Sequence, residues 1–317
     1  MNIIFYNEAH TGDLLFTKSF LTQFCQLNFL FNISYVIQYN SFLFSDISNL
    51  NIIIPNNNNE YNYTDFNGNY IDPINFITIN NDIYKNYIKI FNNNFDNVNY
   101  TIIDNNIYIK LWLKYHTNNY TFAELECNIV NVNKYYNNII NNINNKYNLN
   151  INLINNYNLL YDIPYTNIDK FLLFKKYNKI IFYYNYNPNT QYARELDNHD
   201  LNIDILANKY KDYIICCALK PPNYKYNNVT SLEDFGYIKD PSCENIAKAV
   251  YCAMNCDYVI SFDIGACFYY CNNKFNEIFK GIWIHKNTNN NYNFNKILNN
   301  NKIIYMDNMD NIFKIIK

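Results

Sequence analysis

Glycine and arginine are nearly missing from this chain, with five glycines and one arginine in 317 residues. So few glycines leave few places where backbone can come bare against a ligand, which makes each one informative. The lone arginine, Arg194, is the one side chain able to grip a phosphate or carboxylate with a bidentate fork. G-x-G-x-x-G is absent, which argues against a dinucleotide oxidoreductase. G-x-S-x-G is absent too, which argues against a serine hydrolase on an α/β sheet. No run reaches the ~18 apolar residues of a membrane helix. The chain opens directly on a strand-like run without a basic leader, so it reads as cytosolic.

Neither sign of charge dominates. Lysine plus arginine number 25 against 27 acidic residues, for a net charge of −2, and the lysines are spread singly. That excludes the basic face expected of a nucleic-acid binder. The nine cysteines are odd in number and mostly sit in apolar segments, as reduced core cysteines do. Cys252/Cys256 and Cys267/Cys271 form two i, i+4 pairs that could offer four thiolates to zinc, but the spacing is not C-x₂-C and core packing is the better reading.

What the chain does have is apolar material (49%), much of it among 34 tyrosines, together with abundant Ile, Lys and Asn. All four residue types have AT-rich codons, so genome composition explains the bias before function does. Asparagine runs such as Asn56–Asn59 and Asn299–Asn301 then read as loop filler. The N-x-S/T triplets at Asn62 and Asn228 carry no weight in so Asn-rich a sequence.

Along the chain, 1–6 reads as a strand, 7–12 as a loop and 13–30 as a helix whose Phe16, Phe20 and Phe24 share one face. Strand-like runs recur at 50–54, 76–79 and 100–103, while 107–115, containing Trp112, fits neither helix nor strand cleanly. A helix over 132–146 follows. Composition shifts near 155–165, around Pro164, and strands then alternate with helices: strand 179–184, helix 200–210, strands 213–218 and 229–232. Asp240-Pro241 opens a further helix as N-cap and first residue. Strands at 258–262, 281–285 and 302–306 and a closing helix at 308–316 complete the chain. The alternation predicts a parallel α/β sheet, with ligands outside the carboxyl ends of its strands.

Two glycines stand in matching places. Gly12 follows the run Ile3–Tyr6, and Gly265 follows Tyr258–Phe262; each precedes a helix and has an aspartate nearby, Asp13 and Asp263. A glycine at such a turn lets backbone N–H groups at a helix start meet an anion. A bare turn could have used asparagine in this chain, so glycine at 265 points to close approach by a ligand.

The segment Ser242–Asn272, centred on Asp257-Tyr-Val-Ile-Ser-Phe-Asp-Ile-Gly265-Ala266, resembles the helix, strand, D-x-G, helix unit of heptosyltransferase-like glycosyltransferases of the GT-B architecture. The N-terminal His10-Thr-Gly-Asp13-Leu-Leu15 is similar to that family's GD-leucine turn. With its codon bias, the whole chain looks most like heptosyltransferase-like glycosyltransferases of giant DNA viruses. The resemblance implies two Rossmann-like domains with a cleft between them. Residues 1–160 would form the acceptor side, and 161–317 the nucleotide-sugar side, with the last helix crossing back. It implies transfer from a nucleotide-sugar donor to a glycan or glycoprotein acceptor, with no metal and no further cofactor. Asp13 would be the base, and the helix start at Gly265 and Ala266 would face the donor diphosphate. The family's proline and histidine after D-x-G are replaced here by Ala266 and Phe268.

Glycosyl transfer needs a group to take the acceptor's proton, positive potential for the leaving diphosphate, and exclusion of water. Asp13 and His10 are the candidates for the first role; capping of the first helix is the structural alternative for Asp13. Arg194, with Lys220 behind it, is the candidate for the second. Asp263 could cap the helix or bind a ribose, and Glu244 could do the same or complement its helix dipole. Gly12 and Trp112 belong to the acceptor side, Trp112 by stacking on a sugar. No Asp-x-Asp follows a strand, which weakens a glycosyltransferase built on Mg²⁺ or Mn²⁺. A non-catalytic nucleotide-sugar-binding or interaction protein on the same scaffold is the alternative, because the histidine is missing and basic residues are scarce.

Overall fold

The computed structural model describes residues 1–7, 11–37, 41–56, 75–93, 99–111, 129–158, 176–185, 199–221, 226–235, 249, 252–262, 282–285, 303–306 and 316. The chain divides into two compact units, the first mainly Met1–Thr64 and Asn69–Pro164, the second mainly Tyr165–Asn290 and Phe294–Lys317.

The first unit is built on a six-stranded sheet. Its strands are β1 (Asn2–Tyr6), β2 (Asn32–Val36), β3 (Leu50–Pro55), β4 (Phe76–Ile79), β5 (Tyr100–Ile103) and β6 (Asn106–Lys110). They lie in the order β4-β3-β2-β1-β6-β5. All neighbours are parallel except β5 and β6. Those two form a hairpin through Asp104 and Asn105, both at positive φ (47° and 63°), as a two-residue type I′ turn requires. The two central residues would ordinarily include glycine, and here an Asp-Asn pair takes that backbone.

Alternation along the strands gives the sheet two buried faces. Phe5 meets Phe20 and Phe24 of α1 (Thr11–Leu27) at 6.1 and 5.1 Å, and Phe20 meets Tyr136 of α3 (Ile129–Tyr147) at 5.1 Å. On the other face Ile4, Tyr6, Val36, Ile53 and Tyr108 pack on Tyr84 and Phe91 of α2 (Asn81–Asn93). Phe91 stacks on Tyr6 at 4.6 Å. Helix α2 is a helix the periodicity already contains: Tyr84, Tyr87, Ile88 and Phe91 recur at i, i+3, i+4 and i+7, and Asn80 caps it, its Oδ1 accepting from the Ile83 amide at 2.8 Å.

The second unit's sheet contains β7 (Ile180–Tyr183), β8 (Ile214–Cys217), β9 (Val229–Ser231), β10 (Tyr258–Phe262), β11 (Ile282–His285) and β12 (Ile303–Met306). Its order is β12-β11-β10-β7-β8-β9, and every pairing is parallel. Helix α4 (His199–Lys209) lays Ile203, Leu206 and Ala207 on Ile181, Tyr183, Ile215, Cys217 and Ile260. Cys216, Cys252 and Cys256 are buried and reduced, as core cysteines; Cys267 and Cys271 lie outside the described residues.

The described architecture is therefore mixed α/β with parallel sheets, and it differs from the sequence reading in four places. The first helix starts at Thr11 and ends at Leu27, so Gly12 lies within its first turn and not in a loop before it. Strand β2 and helix α2 carry no expectation from the sequence, yet both form. Residues 107–110 settle as part of β6, because Ile107 and Ile109 are fully buried on the α1 side and Tyr108 packs on α2. The hairpin partner β5 is antiparallel, because two residues are too few to return the chain for a parallel pairing. Of the helix expected from Pro241 through Ala253, the described residues 249 and 252–254 are helical, and the rest, with nearly all of the helix expected at 308–316, lies outside the described residues.

Candidate functional site

In each sheet the strand order reverses beside the unit's first strand. In the first unit the chain builds outward from β1 through β2, β3 and β4, then returns to place β6 against the other edge of β1. In the second it runs outward from β7 through β8 and β9, then returns to place β10 against β7. In open α/β sheets ligands bind beyond the carboxyl ends of the strands at such a point; in the first unit the helices after β1 and β6, α1 and α3, pack together on one face. The segment carrying Gly12 and Asp13 follows β1, and Asp263–Gly265 begin directly after β10, whose last residue is Phe262. Both glycine-bearing segments thus continue strands that border a switch point.

At the first switch point the carboxyl ends of β1 and β6 sit on a buried polar network. Asn7 Nδ2 donates to Thr17 Oγ1 at 3.0 Å, and Tyr136 Oη donates to the Leu111 carbonyl at 2.8 Å. With the Tyr136 proton so committed, the 3.3 Å contact between Thr17 Oγ1 and Tyr136 Oη requires the threonine to donate. The network ties the residues following β1 and β6 to α1 and α3, and so fixes the helix whose first turn holds Gly12 and Asp13. Tyr35, wholly buried on β2, makes no hydrogen bond of ordinary geometry among the described residues. Burial holds its hydroxyl well above the usual tyrosine value; the Tyr136, Tyr6 and Tyr84 hydroxyls add to this, and the Asn7 side chain opposes it. Lys110, also buried, ends β6 beside Tyr6.

The second switch point has a corresponding asparagine. Asn185, two residues past β7, donates from Nδ2 to the Leu219 carbonyl at 2.9 Å and accepts from the Leu219 amide at 2.8 Å. That pair ties the residues following β7 to those following β8. Lys220 stands next to it, but its Nζ is 3.1 Å from Asp234 Oδ1 and its amide donates to Glu233. Asp234 also accepts from Ser231 N, Ser231 Oγ and Thr230 Oγ1 through Oδ2. Lys220, half exposed, thus forms an ion pair with Asp234 beyond the ends of β8 and β9.

Of the residues expected at the site, Gly12 and Asp13 are the second and third residues of α1. Asp13 thus stands within the first turn of α1, a position at which a carboxylate complements the helix dipole. His10, Trp112, Arg194, Glu244, Asp263, Gly265 and Ala266 lie outside the described residues. The sequence reading passed over Asn7, Thr17, Tyr136 and Asn185. The available signal for the two asparagines was position alone, each directly past the first strand of its unit. Among the described residues no group of three or more His, Cys, Asp or Glu could hold a metal ion. No helix among them is long and apolar enough to cross a membrane.

No family model matches the chain, and no curated protein matches it by sequence. Among solved structures it aligns with the E. coli heptosyltransferase WaaC with ADP, over 92% of this chain and 88% of that one, at 10% identity and a TM-score of 0.42. At that distance the likeness is a general one, and the functional reading rests on the chain's own residues.

Proposed function

We propose that the chain is a glycosyltransferase that moves a sugar from a nucleotide-sugar donor to a hydroxyl of a glycan or glycoprotein acceptor, without a metal. The observation that carries this reading is the coincidence of the two glycine-bearing segments with the two switch points. The donor diphosphate binds beyond β7 and β10, at the helix start that the sequence leads one to expect at Gly265 and Ala266, with Arg194 supplying the charge. Asp263 and Glu244 hold the ribose. The acceptor binds beyond β1 and β6, near Gly12 and Trp112. Asp13, or in its place His10, takes the proton from the acceptor hydroxyl; that oxygen bonds to the anomeric carbon as the bond to the diphosphate breaks, and the nucleoside diphosphate leaves.

The glycine at 265 is the sharpest part of this reading. Left-handed backbone in the described residues falls to Asn49, Asp104, Asn105 and Asn148, at φ of 62°, 47°, 63° and 54°. Asn148 closes α3 in this way, and the Leu149 amide donates back to the Asn144 carbonyl at 3.1 Å, as a C-terminal glycine motif would. Asparagine and aspartate thus supply the left-handed backbone of the described residues of the first unit. A glycine retained beside a switch point is then explained by the space a side chain would take from a ligand.

Calorimetry with UDP-, GDP-, ADP- and CMP-sugars tests the reading. Wild type binds one class, and Gly265→Val loses that binding by at least tenfold while its circular dichroism is unchanged. Equal affinity in the variant would confine Gly265 to a structural role. Binding without transfer to any acceptor, and without hydrolysis of any donor, would instead mark a nucleotide-sugar-binding protein.

A further inference from the structure

Residues 151–156 belong to no helix or strand, yet their backbone is paired almost as fully as a strand's. The partners are side-chain amides from two helices. Asn144 of α3 donates to the Ile151 carbonyl at 2.8 Å and accepts from the Ile151 amide at 3.0 Å. Asn28, just past α1, does the same with Asn152 at 3.0 and 2.8 Å. Asn137 of α3 pairs with Ile154 at 2.8 and 2.9 Å, and Gln23 of α1 with Asn156 at 2.6 and 3.2 Å. Asn133 adds a bond to the Tyr157 carbonyl at 3.1 Å, and Asn152 returns one to the Leu27 carbonyl at 2.8 Å.

A carboxamide carries one carbonyl and one NH₂, so a single Asn or Gln can satisfy both main-chain groups of one residue as a neighbouring strand would. The spacing suits an extended chain: from Asn144 to Asn137 along α3, and from Ile151 to Ile154 along the segment, the rise is about 10 Å in each case. Ile151 and Ile154 are buried between the helices, while Leu153 is 39% exposed. Leu153 and Asn155 make no amide hydrogen bond among the described residues. The binding groups read the main chain; of the bound side chains, Ile151 and Ile154 are the two that are buried.

We propose that α1 and α3 form a peptide clamp whose ligand is the chain's own connector, residues 151–156, held as an extended strap. The clamp fixes this segment to the first unit through its main chain. This holds whatever reaction the protein performs. The clamp also links the connector to α1, the helix that starts with Gly12 and Asp13.

Residue-resolved hydrogen exchange on the full chain tests this. The amides of Ile151, Asn152, Ile154 and Asn156 should exchange at least tenfold more slowly than those of Leu153 and Asn155. Uniform fast exchange across 151–156 would overturn the clamp. In Asn137→Ala, exchange at Ile154 and its neighbours should rise at least tenfold while the amides of Ile3 and Phe5 in β1 stay protected. A rise shared equally by β1, or no rise in the strap, would show that Asn137 serves general stability and would refute a discrete clamp. Should Asn137→Ala fail to fold, Asn144→Ala at the strap's start gives the same two readouts at Ile151.

Discussion

Lys18 offers a sharp test of how the first unit is built. Its side chain is 1% exposed, and Nζ lies 2.6 and 2.9 Å from the two oxygens of Asp46, itself 33% exposed. The two residues therefore differ in what they leave behind. Asp46→Ala takes the carboxylate away from a buried ammonium, for which a loss of about 3 kcal/mol is expected. Lys18→Met fills the same volume with apolar atoms and lets Asp46 turn to water, so the loss should be about 1 kcal/mol or less. The double variant should then resemble Lys18→Met, because with the ammonium gone the carboxylate has nothing left to neutralise. Urea unfolding at pH 7, followed by exchange at the Ile3 and Phe5 amides so that the first unit is read by itself, supplies the three values. The difference should persist in 0.5 M salt, since a buried charge is little screened. Equal losses in the two single variants, or a larger loss in Lys18→Met, would refute this account of the pair.

Two further outcomes follow from the same structure. Asp13→Asn should slow sugar transfer by roughly 10²–10⁴-fold if the carboxylate is the base, with less than ~1 kcal/mol lost from its interaction with the helix dipole; unchanged transfer with only the stability loss would make Asp13 a dipole partner. Burial pushes the thiols of Cys25, Cys216, Cys252 and Cys256 above their ordinary value of 9.0, with neighbouring thiols adding to the effect at the last three. The native state then keeps protons that the unfolded chain releases, so the stability these groups contribute is complete below pH 9 and falls above it, by up to about 1.4 kcal/mol per pH unit for each thiol. Chemical denaturation at pH 8 and pH 10.5, compared with Cys216→Ala, checks the sign; a wild type more stable at pH 10.5 would contradict it.

The parts of the fold legible in the sequence were those where burial leaves an uninterrupted mark. Strands β1, β3, β7, β8 and β10 are nearly all-apolar runs, and Phe16, Phe20 and Phe24 declare the buried face of α1. Strand β2 escapes because Ser34 interrupts a run of only five residues close behind α1. Helix α2 escapes because its polar face is Asn and Lys and its apolar face partly Tyr, so composition blurs a periodicity that is nonetheless present. The β5–β6 turn lacks the Asn-Gly or Asp-Gly that marks a hairpin, since Asp104-Asn105 does that task here.

Reading asparagine as genome filler also hid much of what it does. Asn51, Asn32, Asn2 and Asn106 join four adjacent strands of the first sheet through side-chain bonds of 2.8, 3.1 and 2.7 Å. The strap between α1 and α3 carries no periodicity of its own, because its partners are side chains more than a hundred residues upstream on α1 as well as nearby on α3. At the candidate site Gly12 and Gly265 stand out by the rarity of glycine in the sequence. Asn7 and Asn185 do not, since nothing in a chain this rich in asparagine distinguishes two whose side chains hydrogen-bond beside a switch point.

The most direct measurement is a structure determined with the nucleoside diphosphate that calorimetry selects. The account places the diphosphate beyond the carboxyl ends of β7 and β10, against the backbone of residues 263–266 with Arg194 on its oxygens. A diphosphate seated instead beyond β1 and β6, or away from both switch points, would contradict it.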